Sequence, residues 1–132
     1  ALGHEDLIEA IQRVKNSFNS YPINRLTSAI AMAAIADEDY FQNCRMQVIA
    51  SRERLSTELQ RLGFEVFPSS SNFLLVRHPG HAAESLYSSL KASGILVRYF
   101  NKARIDKCVR ISIGTDDECN ALIAALSEIT GK

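Results

Sequence analysis

The stretch "ILVRYFNKARIDKCVRISIGT" (residues 95–115) contains two short apolar segments separated by a polar loop. β-Branched and aromatic residues dominate both segments, and this composition is typical of strands. Each segment carries one arginine, Arg98 in the first and Arg110 in the second. A guanidinium keeps its charge at ordinary pH and is costly to bury without a partner. If the two strands pair as a hairpin, the arginines lie near each other and favour an anion between them.

These arginines also have an ordinary interpretation, in which both face solvent on an edge strand. Surface arginines are common, so spacing alone favours that interpretation. Asn72, in "SSSNFLLVR" (residues 69–77), also has a functional and an ordinary interpretation. Its amide either lines a pocket or satisfies the turn that precedes a strand, which is the commoner role of asparagine.

The remaining pattern predicts a small α+β domain. Helical spacing predicts five helices, at residues 5–15, 24–36, 38–62, 81–93 and 116–130. Strand composition predicts four strands, at residues 64–68, 72–78, 95–100 and 109–115. Residues 16–22, "NSFNSYP", are predicted to be a loop. We therefore expect an antiparallel or mixed sheet of about four strands, covered by helices on one face. A helical arm (1–62) precedes this sheet-and-helix part (63–132).

The predicted helix at residues 24–36 is apolar on nearly all sides. A helix of this kind is normally buried against several neighbours. A chain of 132 residues offers few such neighbours. The pattern therefore predicts either an exposed apolar surface on this helix or self-association that hides it.

Composition limits the classes of function. Fifteen basic residues balance fifteen acidic ones, which gives no general attraction to nucleic acid or to an anionic membrane, so any anion site must be local. The longest apolar run is too short to span a bilayer. Three cysteines and the lack of a signal peptide at the start of the sequence favour a reducing, cytoplasmic setting.

Known catalytic motifs are missing from the sequence. Cysteine and histidine spacing is poor for a metal site, and neither a G-x-S-x-G elbow nor a G-x-G-x-x-G or Walker loop occurs. Aromatic residues do not alternate with basic ones as in nucleic-acid readers. The residues alone therefore indicate no catalytic group. They leave open a stand-alone module that binds a small anion, or a purely structural interaction domain.

Four phrases in the sequence carry a family resemblance: "NSYPINRLTSAIAMAAIAD", "RERLSTELQRLGFEVFPSSSNFLLVR", "GILVRYF" and "VRISIGTDDECNALIAAL". In this order and spacing they resemble the C-terminal part of the histidinol-phosphate aminotransferases. Those are pyridoxal-phosphate enzymes of the class I/II aminotransferase superfamily, with fold type I. The resemblance covers nearly all of this chain but only about the last third of such an enzyme.

The resemblance implies roles for five residues. Arg110 matches the arginine that binds an anionic group of the substrate, usually its carboxylate. Arg98 matches an arginine near the phosphate end of the substrate, and Asn72 matches a position at the active-site entrance. Tyr21 and Asn24 match a segment near the cofactor pocket and the domain junction.

The resemblance also implies what this chain lacks. In the family, a lysine in a Ser-Lys motif bonds covalently to pyridoxal phosphate, and it lies before the matched segment. So do an arginine for the cofactor phosphate and an aspartate for the pyridine nitrogen. No lysine of this chain sits in such a motif. We therefore expect the small C-terminal domain without the catalytic large domain, with no cofactor bound and no activity alone.

The parent enzyme implied by the resemblance transfers an amino group between histidinol phosphate and 2-oxoglutarate, in histidine biosynthesis. It would be a cytoplasmic homodimer. Threonine-phosphate decarboxylases and aromatic aminotransferases share these motifs, so the choice of substrate stays open.

Overall fold

The computed structural model describes residues 2–18 and 21–131. These residues form the predicted order of helices and strands: α1 (Glu5–Phe18), α2 (Arg25–Ala36), α3 (Glu38–Arg61), β1 (Glu65–Val66), β2 (Phe73–Arg77), α4 (Ala83–Ala92), β3 (Arg98–Tyr99), β4 (Val109–Ser112) and α5 (Asp116–Thr130). No helix in the described part of the chain is long and apolar enough to cross a membrane.

Several predicted bounds were wrong, and the strands predicted at 64–68 and 109–115 shorten to Glu65–Val66 and Val109–Ser112. The loop predicted at 16–22 begins later, because α1 continues to Phe18 and the Ser17 hydroxyl donates to the Arg13 carbonyl one turn back (2.8 Å). Asn19 and Ser20 lie outside the described residues. The strand predicted at 95–100 is reduced to Arg98–Tyr99. Its first residue instead closes the turn that follows α4, since the Ile95 amide donates to the Leu90 carbonyl (2.9 Å).

The four strands form one antiparallel sheet in the order β1-β2-β4-β3. β3 and β4 pair as the predicted hairpin, with Arg98 directly opposite Arg110. On its other side β4 pairs with β2, where Leu75 is the partner of Arg110. β3 is therefore an edge strand, whereas β4 and its arginine lie inside the sheet.

The hydrophobic core lies between the sheet and three helices. Alternation along the strands directs one set of side chains towards the helices: Leu74, Val76, Val109 and Ile111. Six leucines of α3, α4 and α5 cover them: Leu55, Leu59, Leu86, Leu90, Leu122 and Leu126. Each buried leucine contributes roughly 1.5–3 kcal/mol to folding. We call the opposite side of the sheet the open face: Phe73, Leu75, Arg77, Arg98, Arg110 and Ser112.

The chain divides into two compact units, Ala1–Phe41 and Gln42–Lys132. This division falls earlier than the predicted boundary after Leu62, because Leu55 and Leu59 of α3 are completely buried in the core of the second unit. In the first unit neither α1 nor α2 contains a buried residue. Apolar side chains of α2 are exposed instead, Ile30 to 59% and Ile35 to 80%.

A capping box joins β4 to α5. Thr115 is the N-cap of α5; its hydroxyl accepts a hydrogen bond from the Glu118 amide (3.3 Å). The Thr115 amide donates in return to the Glu118 carboxylate (2.7 Å). Gly114 fits here because a Cβ at this position would lie 2.5 Å from Oε2 of Glu118. Thr115 and Glu118 therefore form the reciprocal cap of the last helix.

Candidate anion-binding site

Arg98 and Arg110 face each other across the β3–β4 pair, on the open face. Side chains directly opposite in an antiparallel pair start from Cβ atoms about 4.5–5.5 Å apart, and like charges in such positions destabilise the sheet. The sequence left this pairing as a condition, and the strand register fulfils it. Two cations at one point of a sheet need another group to offset their repulsion.

Two aromatic rings lie against these arginines. The Cζ atom of Arg110 lies over the Phe73 ring, 5.1 Å from its centroid, and over the Phe100 ring at 5.7 Å. The Cζ atom of Arg98 lies over the same Phe100 ring at 5.3 Å. The negative face of an aromatic ring attracts a cation at these distances. Phe100 therefore contacts both arginines, and Phe73 contacts Arg110.

No carboxylate neutralises either arginine within residues 2–18 and 21–131. The Nε atom of Arg110 is buried and has no hydrogen-bond partner among those residues. Arg77, on the same open face, is different, because it binds the Glu65 carboxylate at 2.6 Å. A buried donor without a partner costs about 1–3 kcal/mol, and more when it is charged. Arg110 is therefore the cation of this face that an added anion would satisfy best.

Asn72 lies at the start of β2, one residue before Phe73. Its carbonyl accepts a hydrogen bond from the Ile113 amide (2.9 Å), which extends the β2–β4 ladder by backbone contact. Its side chain is exposed and makes no hydrogen bond with the described residues. The structure thus shows a backbone role of Asn72 in the sheet but no turn hydrogen bond from its side chain, and substrate binding by its amide stays a prediction.

Tyr21 and Asn24 belong to the first compact unit, whereas the two arginines belong to the second. The Asn24 side chain accepts a hydrogen bond from the Thr27 amide (2.8 Å) and caps α2. Tyr21 is exposed to 90%. A position of these two residues near a cofactor pocket stays a prediction.

The described residues do not by themselves fit a pyridoxal-phosphate site, which needs a lysine amine that can bond to the cofactor aldehyde. The Lys91 ammonium lies on α4 over the Tyr87 ring, 5.8 Å from its centroid. Lys102 and Lys107 are exposed on the β3–β4 loop. No cluster of three His, Cys, Asp or Glu side chains suited to a metal ion occurs in the described part of the chain.

Sequence reasoning missed the two phenylalanines. Phe100 ends the strand predicted at 95–100 and Phe73 lies in the strand predicted at 72–78, but the sequence assigns no site role to either. The available signal was spacing, because an aromatic residue two positions from an arginine on a strand shares its face. "RYF" at 98–100 has that spacing. The partner of Phe73, in contrast, depends on the β2–β4 register.

The fold, the candidate site and the sequence together define the class of protein to which this chain belongs. The family model described as "Aminotransferase class I and II" matches residues 1–126, and the chain belongs to this family. It is 54% identical over 129 residues to histidinol-phosphate aminotransferase 1 of Bordetella parapertussis, a match that covers 98% of this chain and 36% of that protein.

Solved structures agree with this assignment. The fold matches histidinol-phosphate aminotransferase from Sinorhizobium meliloti in complex with pyridoxal-5'-phosphate, with a TM-score of 0.77 and 31% identity over 91% of this chain and 33% of that one. It also matches a decarboxylase from Sulfurospirillum multivorans, with a TM-score of 0.75 and 25% identity over 98% of this chain and 38% of that one. The chain thus spans about a third of the length of these relatives.

Proposed function

We propose that this chain is the substrate-binding small domain of a pyridoxal-phosphate-dependent aminotransferase that acts on histidinol phosphate and 2-oxoglutarate in histidine biosynthesis. Family membership and 54% identity to a histidinol-phosphate aminotransferase support the reaction. The observation that carries the proposal is the pair of opposed arginines, with the buried Nε of Arg110 lacking a partner among the described residues.

In this proposal Arg110 and Arg98 bind the anionic groups of the substrates. Histidinol phosphate carries a phosphate ester, and 2-oxoglutarate carries two carboxylates. Both kinds of group suit the planar donor fork of a guanidinium, which can form two parallel hydrogen bonds to them. Asn72, at the start of the strand that carries Phe73, adds an amide at the entrance to this site.

Pyridoxal phosphate, when bound in the complete enzyme, acts as the electron sink of the reaction. This chain's part is to hold and orient the substrate. The groups that hold the cofactor belong, in this proposal, to the share of the family's length that the chain does not span. Tyr21 and Asn24 would approach that region. The complete enzyme is proposed to be a cytoplasmic homodimer, and the 132 residues alone are proposed to be inactive.

The gene and the kinetics of its product test this proposal together. An in-frame Ser-Lys motif upstream of the codon for residue 1 is expected. In the protein encoded by the complete reading frame, Arg110→Ala should lower kcat/KM for histidinol phosphate by about a hundredfold, the loss of one hydrogen-bonded charge pair. Arg77→Ala, whose arginine is already paired with Glu65, is the matched control and should leave kcat/KM nearly unchanged. Equal losses in both variants would contradict the proposal.

A second candidate is a decarboxylase of phosphorylated amino acids, related to the threonine-phosphate decarboxylases. The similarity to the Sulfurospirillum multivorans decarboxylase, with a TM-score of 0.75, favours it. The same arginine pair suits such a substrate, because it also has two anionic groups. Release of carbon dioxide from O-phosphothreonine, without amino transfer to 2-oxoglutarate, would identify this alternative.

A further inference from the structure

We propose that Phe100 is a positioning residue of the anion site, and that it makes the site selective for a phosphate monoester dianion over a single carboxylate. This inference rests on the proposed function and specifies its ligand class. The observation behind it is one aromatic ring shared by two cations, with Cζ of Arg98 at 5.3 Å and Cζ of Arg110 at 5.7 Å from its centroid.

The sheet register explains how one ring reaches both arginines. Phe100 follows Arg98 by two residues, so both side chains leave the same face of the chain. Tyr99, between them, packs against the core on the opposite side. Because Arg98 is opposite Arg110 and Tyr99 is opposite Val109, the next position along places Phe100 diagonal to Arg110. Diagonal neighbours are about 7–8 Å apart, within reach of an aromatic side chain and an arginine.

The ring offsets a repulsion that the backbone imposes. Without it, two guanidiniums in opposed positions would be driven apart towards solvent, where long side chains are free to move. With it, each cation is attracted to the ring's negative electron density. Phe100 thereby holds both guanidiniums beside one ring before any ligand arrives, and so reduces the ordering that binding would otherwise require.

Two adjacent guanidiniums suit one class of anion. A phosphate monoester has three terminal oxygens and carries close to two negative charges above its second pKa of about 6. It can accept hydrogen bonds from both forks. A single carboxylate has two oxygens and one charge, and one guanidinium satisfies it bidentately. Holding both arginines together therefore favours the phosphate more than the carboxylate.

The test compares two probes, methyl phosphate and acetate, on the 132-residue chain, at a pH where the phosphate is a dianion. Dissociation constants come from the shift of the arginine Nε–H signals in nitrogen-15 NMR spectra. Phe100→Leu should weaken methyl phosphate binding about tenfold and change acetate binding by less than about twofold. Phe100→Tyr keeps the ring and should restore the wild-type ratio of the two affinities.

Phe67→Leu is the matched control, because the Phe67 ring lies under Arg77 (5.7 Å), which Glu65 already neutralises. If Phe100→Leu loses the wild-type fold, Phe100→Met supplies the same comparison with a flexible apolar side chain. Unchanged methyl phosphate binding without the ring would overturn this inference alone, provided that Arg110→Ala still abolishes it. A wild-type chain that binds neither probe would overturn the inference and the proposed function together.

Discussion

At the scale of single residues, Arg110 differs from Arg77 in what surrounds its charge. Arg77 pairs with a carboxylate at 2.6 Å, whereas Arg110 contacts two aromatic rings and has a buried Nε from which no described residue accepts a hydrogen bond. Aromatic faces attract a cation but do not accept its hydrogen bonds as an anion does. The residue environment therefore favours a ligand at Arg110 and a structural role for Arg77.

The burial of the three cysteines predicts which thiol reacts first with an alkylating reagent. Burial raises the pKa of the Cys108 thiol, and nearby Arg77 opposes this rise only in part. Cys108 and Cys119 are 4% and 2% exposed, whereas Cys44 is half-buried. Because the thiolate is the reactive form, iodoacetamide should modify Cys44 first in the native chain. Mass spectrometry of the labelled peptides checks this, and equal labelling of all three would contradict the burial.

The raised pKa of Cys108 also determines how the stability of the fold changes at alkaline pH. The folded chain holds the Cys108 proton more tightly than the unfolded chain does. Its contribution to stability is therefore complete below the unfolded pKa and is lost as pH rises through the folded pKa. Cys108→Ser keeps the size of the side chain and should remove this alkaline loss, which urea unfolding across the alkaline range would measure.

At the scale of elements, the cap of α5 offers a prediction with an acidic pH dependence. Hydrogen bonds from the Thr115 amide and hydroxyl lower the pKa of Glu118. The carboxylate therefore stabilises the fold above its unfolded pKa, and this contribution is lost as pH falls through the folded pKa. Glu118→Gln should reduce the loss of unfolding free energy that occurs as the pH falls into the acidic range. Asp117→Asn, one residue earlier in the same helical turn, is the control because it leaves the capping box intact.

The threonine of the same cap can be tested separately. Thr115→Ala removes the hydroxyl that accepts from the Glu118 amide and should cost about 1 kcal/mol in the free energy of unfolding. Thr115→Ser keeps that acceptor and should cost much less. Urea denaturation at neutral pH measures both, and an equal cost for the two variants would contradict a capping role.

Helix α3 shows why the division of the chain differs from the predicted boundary. Leu59→Ala should cost about 2–5 kcal/mol, because Leu59 has no exposed surface in the core of the second unit. Leu26→Ala in α2, where the leucine is 70% exposed, should stay within about 0.5 kcal/mol. Chemical unfolding of both variants distinguishes a helix of the core from one of an arm.

The sequence predicted most elements, and it failed where the end of a helix or the register between strands decides. Alternation in "VRISIGT" and "NFLLVRH" predicted the strands. The shortening of β3 was not predictable, because it depends on a hydrogen bond from Ile95 back into α4. The approach of Phe73 to Arg110 was likewise hidden, since it depends on the register between β2 and β4.

At the scale of the whole molecule, the exposed apolar side chains of α2 predict association. Ile30 and Ile35 are 59% and 80% exposed, as is typical of a surface that binds a partner. The 132-residue chain should bind a hydrophobic dye or self-associate with rising concentration, and replacing both isoleucines with glutamine should reduce either effect. A strictly monomeric chain that binds no dye would contradict this expectation.

Arg110 and Arg98 are proposed to bind the anionic group of the substrate. The most direct measurement is a titration of the chain with histidinol phosphate, following the Nε–H signal of Arg110, with histidinol as the matched ligand that lacks the phosphate. We predict a saturable shift with histidinol phosphate, little shift with histidinol, and loss of binding in Arg98→Ala but not in Arg77→Ala. An Nε–H signal that stays unchanged, or that responds equally to both ligands, would contradict the claim.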